Sequence, residues 1–249
     1  MGGGNRSPAL ILKMIETASL EKKDYIVVLP MATQEPDSAY FFIKMQLEKA
    51  CSNIVANLNF TANKINDHQW LDSLKRAKLI FITGGDQGRF MKVVLKSPVQ
   101  KAISDAYKNG ATIAGTSAGA AVMSKQMITG NQLLGDTAYK ETFSKLWSGN
   151  IEISEGLGLI DSVIIDQHFI ARSRYNRLLS ALAKFPGYIC IGIDEGTAVI
   201  INGHKATVAG DGQVITLCCP KTVAKSNKLL KLHDARLSIY TPGDSFKIK

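Results

Sequence analysis

Gly115-Thr116-Ser117-Ala118-Gly119 sets a serine among small residues, where a strand should turn sharply into a helix. The preceding Ala111-Thr112-Ile113-Ala114 reads as a short buried strand, and Ala120-Ala121-Val122-Met123 as the start of a helix. A Gly-x-Ser-x-Gly in that setting is a nucleophile elbow: the hydroxyl projects from a strained turn, and the glycines let neighbouring backbone pass close. A turn made only for close helix–strand packing is the plain alternative, so the partners of Ser117 decide. Covalent catalysis needs an oxyanion site, and the Ala118 N–H at a helix N-terminus is a natural donor. A second strand-end turn, Gly84-Gly85-Asp86-Gln87, is suited to offer the other donor from the Gly85 or Asp86 N–H.

A serine hydroxyl also needs a base, most often a histidine oriented by a carboxylate. The chain has four histidines. His68, His204 and His233 lie in a polar helical patch, a turn and a basic tail. His168 instead follows Val163-Ile164-Ile165-Asp166-Gln167, at the carboxyl end of a buried strand. Asp194-Glu195 likewise ends the apolar run Ile189–Ile193. Glu195 is suited to hold His168 in its working tautomer, while Asp194 and Asp166 compete for that role and spacing does not separate them. The chain order serine, histidine, acid departs from the serine, acid, histidine order of α/β-hydrolases and disfavours an esterase or lipase. Arg172, Arg174 and Arg177 are expected to open the next helix, with Arg174 and Arg177 on one face. Cations are disfavoured in a helix's first turn, which suggests bidentate binding of carboxylates.

These groups need a scaffold that brings strand ends to one edge. Apolar β-type runs at Tyr25–Leu29, Asn53–Leu58, Lys78–Thr83 and Ala111–Ala114 alternate with helical patterns at 39–50, 68–76, 90–95 and 98–108. That rhythm predicts a parallel sheet covered by helices, with its active edge at the carboxyl ends of the strands. Further strands are expected at 163–165, 188–193, 197–201, 206–209 and 214–218, with a helix over 174–184 and a tight turn at Asn202-Gly203-His204. This last third reads as more antiparallel. Residues 128–153, with Tyr139, Phe143 and Trp147, read as an irregular lid or pocket wall. A single domain over residues 1–249 is expected. Gly2-Gly3-Gly4 looks like a turn that follows a strand, which puts the first strand upstream of residue 1.

The bulk properties narrow the classes. A chain of 249 residues with 45% hydrophobic and 20% charged residues suits a globular protein. No uninterrupted apolar run is long enough to span a bilayer, and no signal peptide is visible. Cys51, Cys190, Cys218 and Cys219 lack metal-ligand spacing, so neither metal nor cofactor is expected. Their use favours a reducing, cytoplasmic compartment, with a removed leader as the alternative. The formal charge of +9 is densest in the tail from Lys221 to Lys249, which lacks aromatic stacking residues. A solvated basic face is expected there, and no nucleic-acid or membrane partner.

Gly-Thr-Ser-Ala-Gly-Ala at 115–120, Asp-Gln-His-Phe-x-x-Arg-x-Arg-x-x-Arg-Leu at 166–178 and Gly-Ile-Asp-Glu-x-Thr-Ala at 192–198 resemble the cyanophycinases. These belong to the peptidase family that also contains aspartyl dipeptidase (peptidase E). Gly84–Gln87 and Gly2–Gly4 fit the resemblance, which runs from residue 2 to about residue 217; residues 125–153 match no pattern of the family. It implies a flavodoxin-like, class I glutamine-amidotransferase-like α/β sandwich, a homodimer, and no metal. It implies a serine exopeptidase that cuts cyanophycin, a β-linked aspartyl–arginine polymer, into β-Asp-Arg dipeptides. By position Ser117 is then the nucleophile, His168 the base and Glu195 its orienting acid. Gln87, Asp166, Gln167, Arg172, Arg174 and Arg177 line the substrate pocket. The rivals are a dipeptidase for small β-aspartyl peptides and a non-catalytic ligand-binding homologue.

Overall fold

Four short apolar runs build the first sheet of the computed structural model, which describes residues 1–135 and 140–248. The chain packs as two compact units: residues 6–122, and residues 1–5 with 123–249. The first runs α1 (Pro8–Ala18), β1 (Tyr25–Leu29), α2 (Pro36–Glu48), β2 (Ile54–Asn57), α3 (His68–Arg76), β3 (Leu79–Ile82), α4 (Gln87–Val94), α5 (Pro98–Lys108), β4 (Thr112–Gly115) and α6 (Ala118–Ala121). The strands pair in the order β2-β1-β3-β4, all parallel. Every residue of β3 and four of the five in β1 are buried, which is why both read as unbroken apolar runs. Because β3 and β4 are parallel and register Ile82 with Gly115, the turns at Gly84–Gln87 and at Ser117 leave from neighbouring strand ends on one edge.

The helix α1 was absent from the sequence expectation, although its signals are present. Ser7 caps it by accepting from Leu10 N, Pro8 opens it, and Leu10, Ile11, Met14 and Ala18 are its buried stripe. The glycine run just before it drew the reading toward a turn.

The second unit continues with β5 (Gln126–Gln132), β6 (Ile151–Glu155), β7 (Val163–Gln167), α7 (Tyr175–Lys184), β8 (Ile189–Ile193), β9 (Thr197–Asn202), β10 (Lys205–Gly210), β11 (Val214–Cys218), β12 (Thr222–Ser226), β13 (Leu229–His233), β14 (Arg236–Tyr240) and β15 (Ser245–Lys247). β7 and β8 are parallel, whereas β11 joins β8 and β14 joins β11 antiparallel. His168 and Asp194-Glu195 therefore leave the same edge of one sheet. The hairpin turn at Gly203-His204 lies where it was expected, closed by the Asn202↔Lys205 pair.

Two expectations change, and a third gains its structure. The stretch 128–153 is not wholly irregular, because β5 and β6 pair antiparallel with a register shift between Ile128 and Gln132. That bulge absorbs Gly130, whose presence among Thr129 and Asn131 had masked the strand. Phe143 is buried with Ile128, Ile151, Ile164 and Phe169 in the core of this unit, while Tyr139 lies outside the described residues. The basic tail is sheet: β12 pairs β13, β14 extends the β11 edge, and β15 pairs β10. In β13 exposed and partly buried residues alternate, the period-2 pattern of a one-sided strand, while every residue of β12 is exposed, in keeping with the solvated basic face expected there. Finally, α7 begins at Tyr175, so Arg172 sits in the turns before it and Arg174 at its N-cap.

Candidate active site

Ser117 holds φ 51° and ψ −115°, outside the regions open to ordinary L-residues. Such a conformation costs about 1–3 kcal/mol and persists where the surroundings enforce it. The enforcement is visible. Gly119 N–H donates to Thr116 O at 2.9 Å, and Ala120 N–H to Ser117 O at 2.8 Å, winding the turn directly into α6. A Cβ at Gly119 would lie 2.3 Å from Ile82 O, so the helix reaches β3 only because that position has no side chain. The Ser117 side chain does not cap its own helix. Ala118, as the first residue of α6, has no intrahelical acceptor for its N–H.

Of the two donors expected from the other turn, the Asp86 N–H is committed to Ala32 O at 2.8 Å. The Asp86 carboxylate caps α4 by accepting from Arg89 N at 2.9 Å. Gly85 N–H is therefore the one to carry forward, since a donor already bonded to a carbonyl has little left for an oxyanion. Gln87 is the first residue of α4 and is buried. Thr83 and Thr116 close the strands on either side, and their hydroxyls are buried with no hydrogen-bond partner among the described residues.

In the second unit, His168 Nδ1 meets Glu195 Oε1 at 2.5 Å. Of the three carboxylates that spacing could not separate, Glu195 takes the imidazole, Asp194 takes the Ile170 and Ala171 N–H groups at 3.0 Å each, and Asp166 takes Arg177. His168 has φ 48°, so the chain turns abruptly as it leaves β7. Its N–H donates to Gly2 O at 2.7 Å. Gly2–Gly4 thus packs against the pair, a contact that the sequence reading missed; three consecutive glycines were its only signal.

The His168 side chain is 12% exposed and that of Glu195 41%. Burial holds the imidazole below the ordinary histidine value. The hydrogen bond from Glu195 pulls it back up, while the positive charges of Arg172 and Arg174 push it down. A histidine kept neutral near pH 7 is a competent proton acceptor.

The arginines divide by burial. Arg177 is 1% exposed and forks onto Asp166, with Nε to Oδ2 at 2.7 Å and Nη2 to Oδ1. Arg174 is 2% exposed, and its Nη1 donates to both the carbonyl and the side-chain oxygen of Gln167 at 2.7 Å. The bidentate recognition anticipated for a ligand carboxylate is here made to Asp166, from within the fold. Arg172 differs, with a side chain 32% exposed and Nη1 3.4 Å from Glu141 Oε1. Among the described residues no group of three or more His, Cys, Asp and Glu could hold a metal ion, and no helix is long and apolar enough to cross a membrane.

Residues 1–209 match the sequence profile of Peptidase family S51. The chain is 35% identical over 236 residues to a cyanophycinase of Trichormus variabilis, covering 91% of this chain and 76% of that relative. To a cyanophycinase of Geminocystis herdmanii it is 32% identical over 236 residues, covering 90% and 82%. Its fold is similar to that of a peptidase from an acI-B1 Actinobacterium, with TM-score 0.72, 23% identity, and coverage of 100% of this chain and 95% of the other.

Proposed function

Because this chain belongs to peptidase family S51 and is a serine-type peptidase, we propose that it cleaves cyanophycin between its β-Asp-Arg units, releasing β-Asp-Arg dipeptides through an acyl-enzyme. The observation that carries the proposal is the 2.5 Å bond from His168 Nδ1 to Glu195 Oε1. It directs the opposite ring nitrogen, Nε2, to the proton transfer and fixes the tautomer that the transfer needs.

In this reaction Nε2 takes the proton of Ser117 Oγ as the oxygen attacks the carbonyl of the amide that joins one β-Asp-Arg unit to the next. The Ala118 and Gly85 N–H groups bind the oxyanion. The imidazolium, stabilised by Glu195, gives its proton to the departing amine, and the ester is left on Ser117. Water then repeats the sequence, with His168 accepting its proton and returning it to Ser117. Arg172 is the arginine with surface to bind a substrate carboxylate, and Gln87 and Gln167 complete the pocket. Asp166, Arg174 and Arg177 act from behind, holding Gln167 and the strand end beside His168.

Mass spectrometry of products from purified cyanophycin tests the proposal. We expect β-Asp-Arg, and a loss of at least about 10³-fold in turnover for Ser117→Ala. Retained turnover in Ser117→Ala would sink the mechanism. Cleavage of small β-aspartyl dipeptides with cyanophycin untouched would replace the substrate by the dipeptide class.

A further inference from the structure

We propose that the glycine turn at residues 2–4 is a positioning element for the catalytic base, and that its want of side chains is what lets His168 and Glu195 meet. The proposal rests on the peptidase reading above and extends it to residues far from Ser117, His168 and Glu195 in the chain.

Three backbone hydrogen bonds tie the turn between the two strand ends. Gly2 O accepts from His168 N at 2.7 Å, Gly3 O accepts from Gly196 N at 3.0 Å, and Gly2 N donates to Thr197 O at 2.9 Å. The turn therefore spans the segment after β7 and the segment after β8, each of which carries one member of the pair.

The space around it is occupied by the pair itself. A Cβ at residue 3 would lie 2.3 Å from His168 Cε1 and 2.4 Å from Nε2. A Cβ at residue 4 would lie 2.7 Å from Glu195 Cβ and 2.9 Å from Oε2. At residue 2 the obstacle is backbone, with the carbonyl oxygens of Asp194 and Ile193 at 2.1 and 2.4 Å. The imidazole is thus bonded to Glu195 at Nδ1, and the place of a Gly3 Cβ lies against its Cε1, Nε2 and Nδ1 atoms. A single added methyl at residue 3 has to move the ring, because the turn cannot retreat without breaking its own hydrogen bonds. Gly3 and Gly4 also hold φ +104° and +68°, which penalise any L side chain. That second cost is separable. Gly158, in the same unit, has φ +68° and nothing within 4 Å of its Cβ position.

The test compares Gly3→Ala with Gly158→Ala in the full chain. We expect kcat of Gly3→Ala to fall by about 10²-fold, as for a reacting group displaced by an ångström. KM should stay within about twofold, since binding groups are untouched. Without substrate, the Nδ1–H resonance of the His168–Glu195 bond should disappear. The groups acting on His168 are Glu195, Arg172 and Arg174, with burial as the largest influence. A ring pushed toward solvent loses that burial, so its titration should rise toward the ordinary histidine value. Gly158→Ala should leave kcat, resonance and titration unchanged. If Gly3→Ala does not fold, Gly4→Ala carries the same test through Glu195. A normal resonance and kcat in the folded variant, or equal losses in Gly158→Ala, would overturn the proposal. The resonance is read without substrate and should persist in Ser117→Ala, so this failure is distinct from failure of the peptidase reading.

Discussion

Ser117 and His168 both sit at the end of a strand with positive φ, yet the two positions are built in opposite ways. Around Ser117 the determinants are largely contiguous: Thr116, Ala118, Gly119 and Ala120 wind the turn, and Ile82, Thr83 and Gly84 from the neighbouring strand end lie against it. Around His168 two distant segments converge, with Gly2 on its N–H, Gly3 beside its ring and Glu195 on Nδ1. A nucleophile's strained turn can be encoded in five residues. A base must be oriented by groups outside its own turn, so its geometry is distributed over the fold.

The comparison can be sharpened by removing one group from each region. The largest effect is expected from Glu195→Gln, which keeps shape but loses the charge that stabilises the imidazolium. Its kcat should fall by about 10²–10⁴-fold. In the wild type the acid limb of kcat/KM should lie below the ordinary histidine pKa, because burial favours the neutral ring. Removing the upward pull of Glu195 should move that limb to still lower pH, as a pH–rate profile would record; an upward move would contradict the assigned balance. Next comes Asp166→Asn, which strips the buried carboxylate from Arg177 and Arg174. Breaking such a pair should cost about 3–5 kcal/mol by denaturant unfolding, whereas Arg172→Ala should stay within about 0.5 kcal/mol. The smallest effect tests the local side of the contrast. Ser117→Gly should abolish activity but relieve the φ 51° strain, so stability should rise by about 1 kcal/mol. A loss of stability there would mean that the elbow is held by its side chain rather than by its neighbours.

Much of the fold was legible because each signal was short in range. α3 and α5 were read to the residue, since Asp67 and Ser97 mark their starts and their apolar stripes are regular. β1, β3 and β8 announced themselves as apolar runs because each lies buried between two neighbouring strands. What escaped had mixed signals. β5 hides Gly130 in a bulge, β12 to β15 mix basic with apolar residues, and α1 follows closely on a glycine run. Within the candidate site, the commitment of Asp86 N–H to Ala32 and of Arg177 to Asp166 had no marker in spacing, because both depend on which strand ends lie side by side.

The amino-acid sequence alone determined the elbow at Ser117, the strand-end places of His168 and Glu195, and the family to which these belong, because each depends on neighbours a few residues away. Only the tertiary structure decided which of Asp166, Asp194 and Glu195 meets the His168 ring, moved the arginine fork onto Asp166, and set Gly2–Gly4 against His168. Those outcomes turn on distances of 2–3 Å between groups from separate segments, and chain spacing carries no information on such distances until the strands have paired.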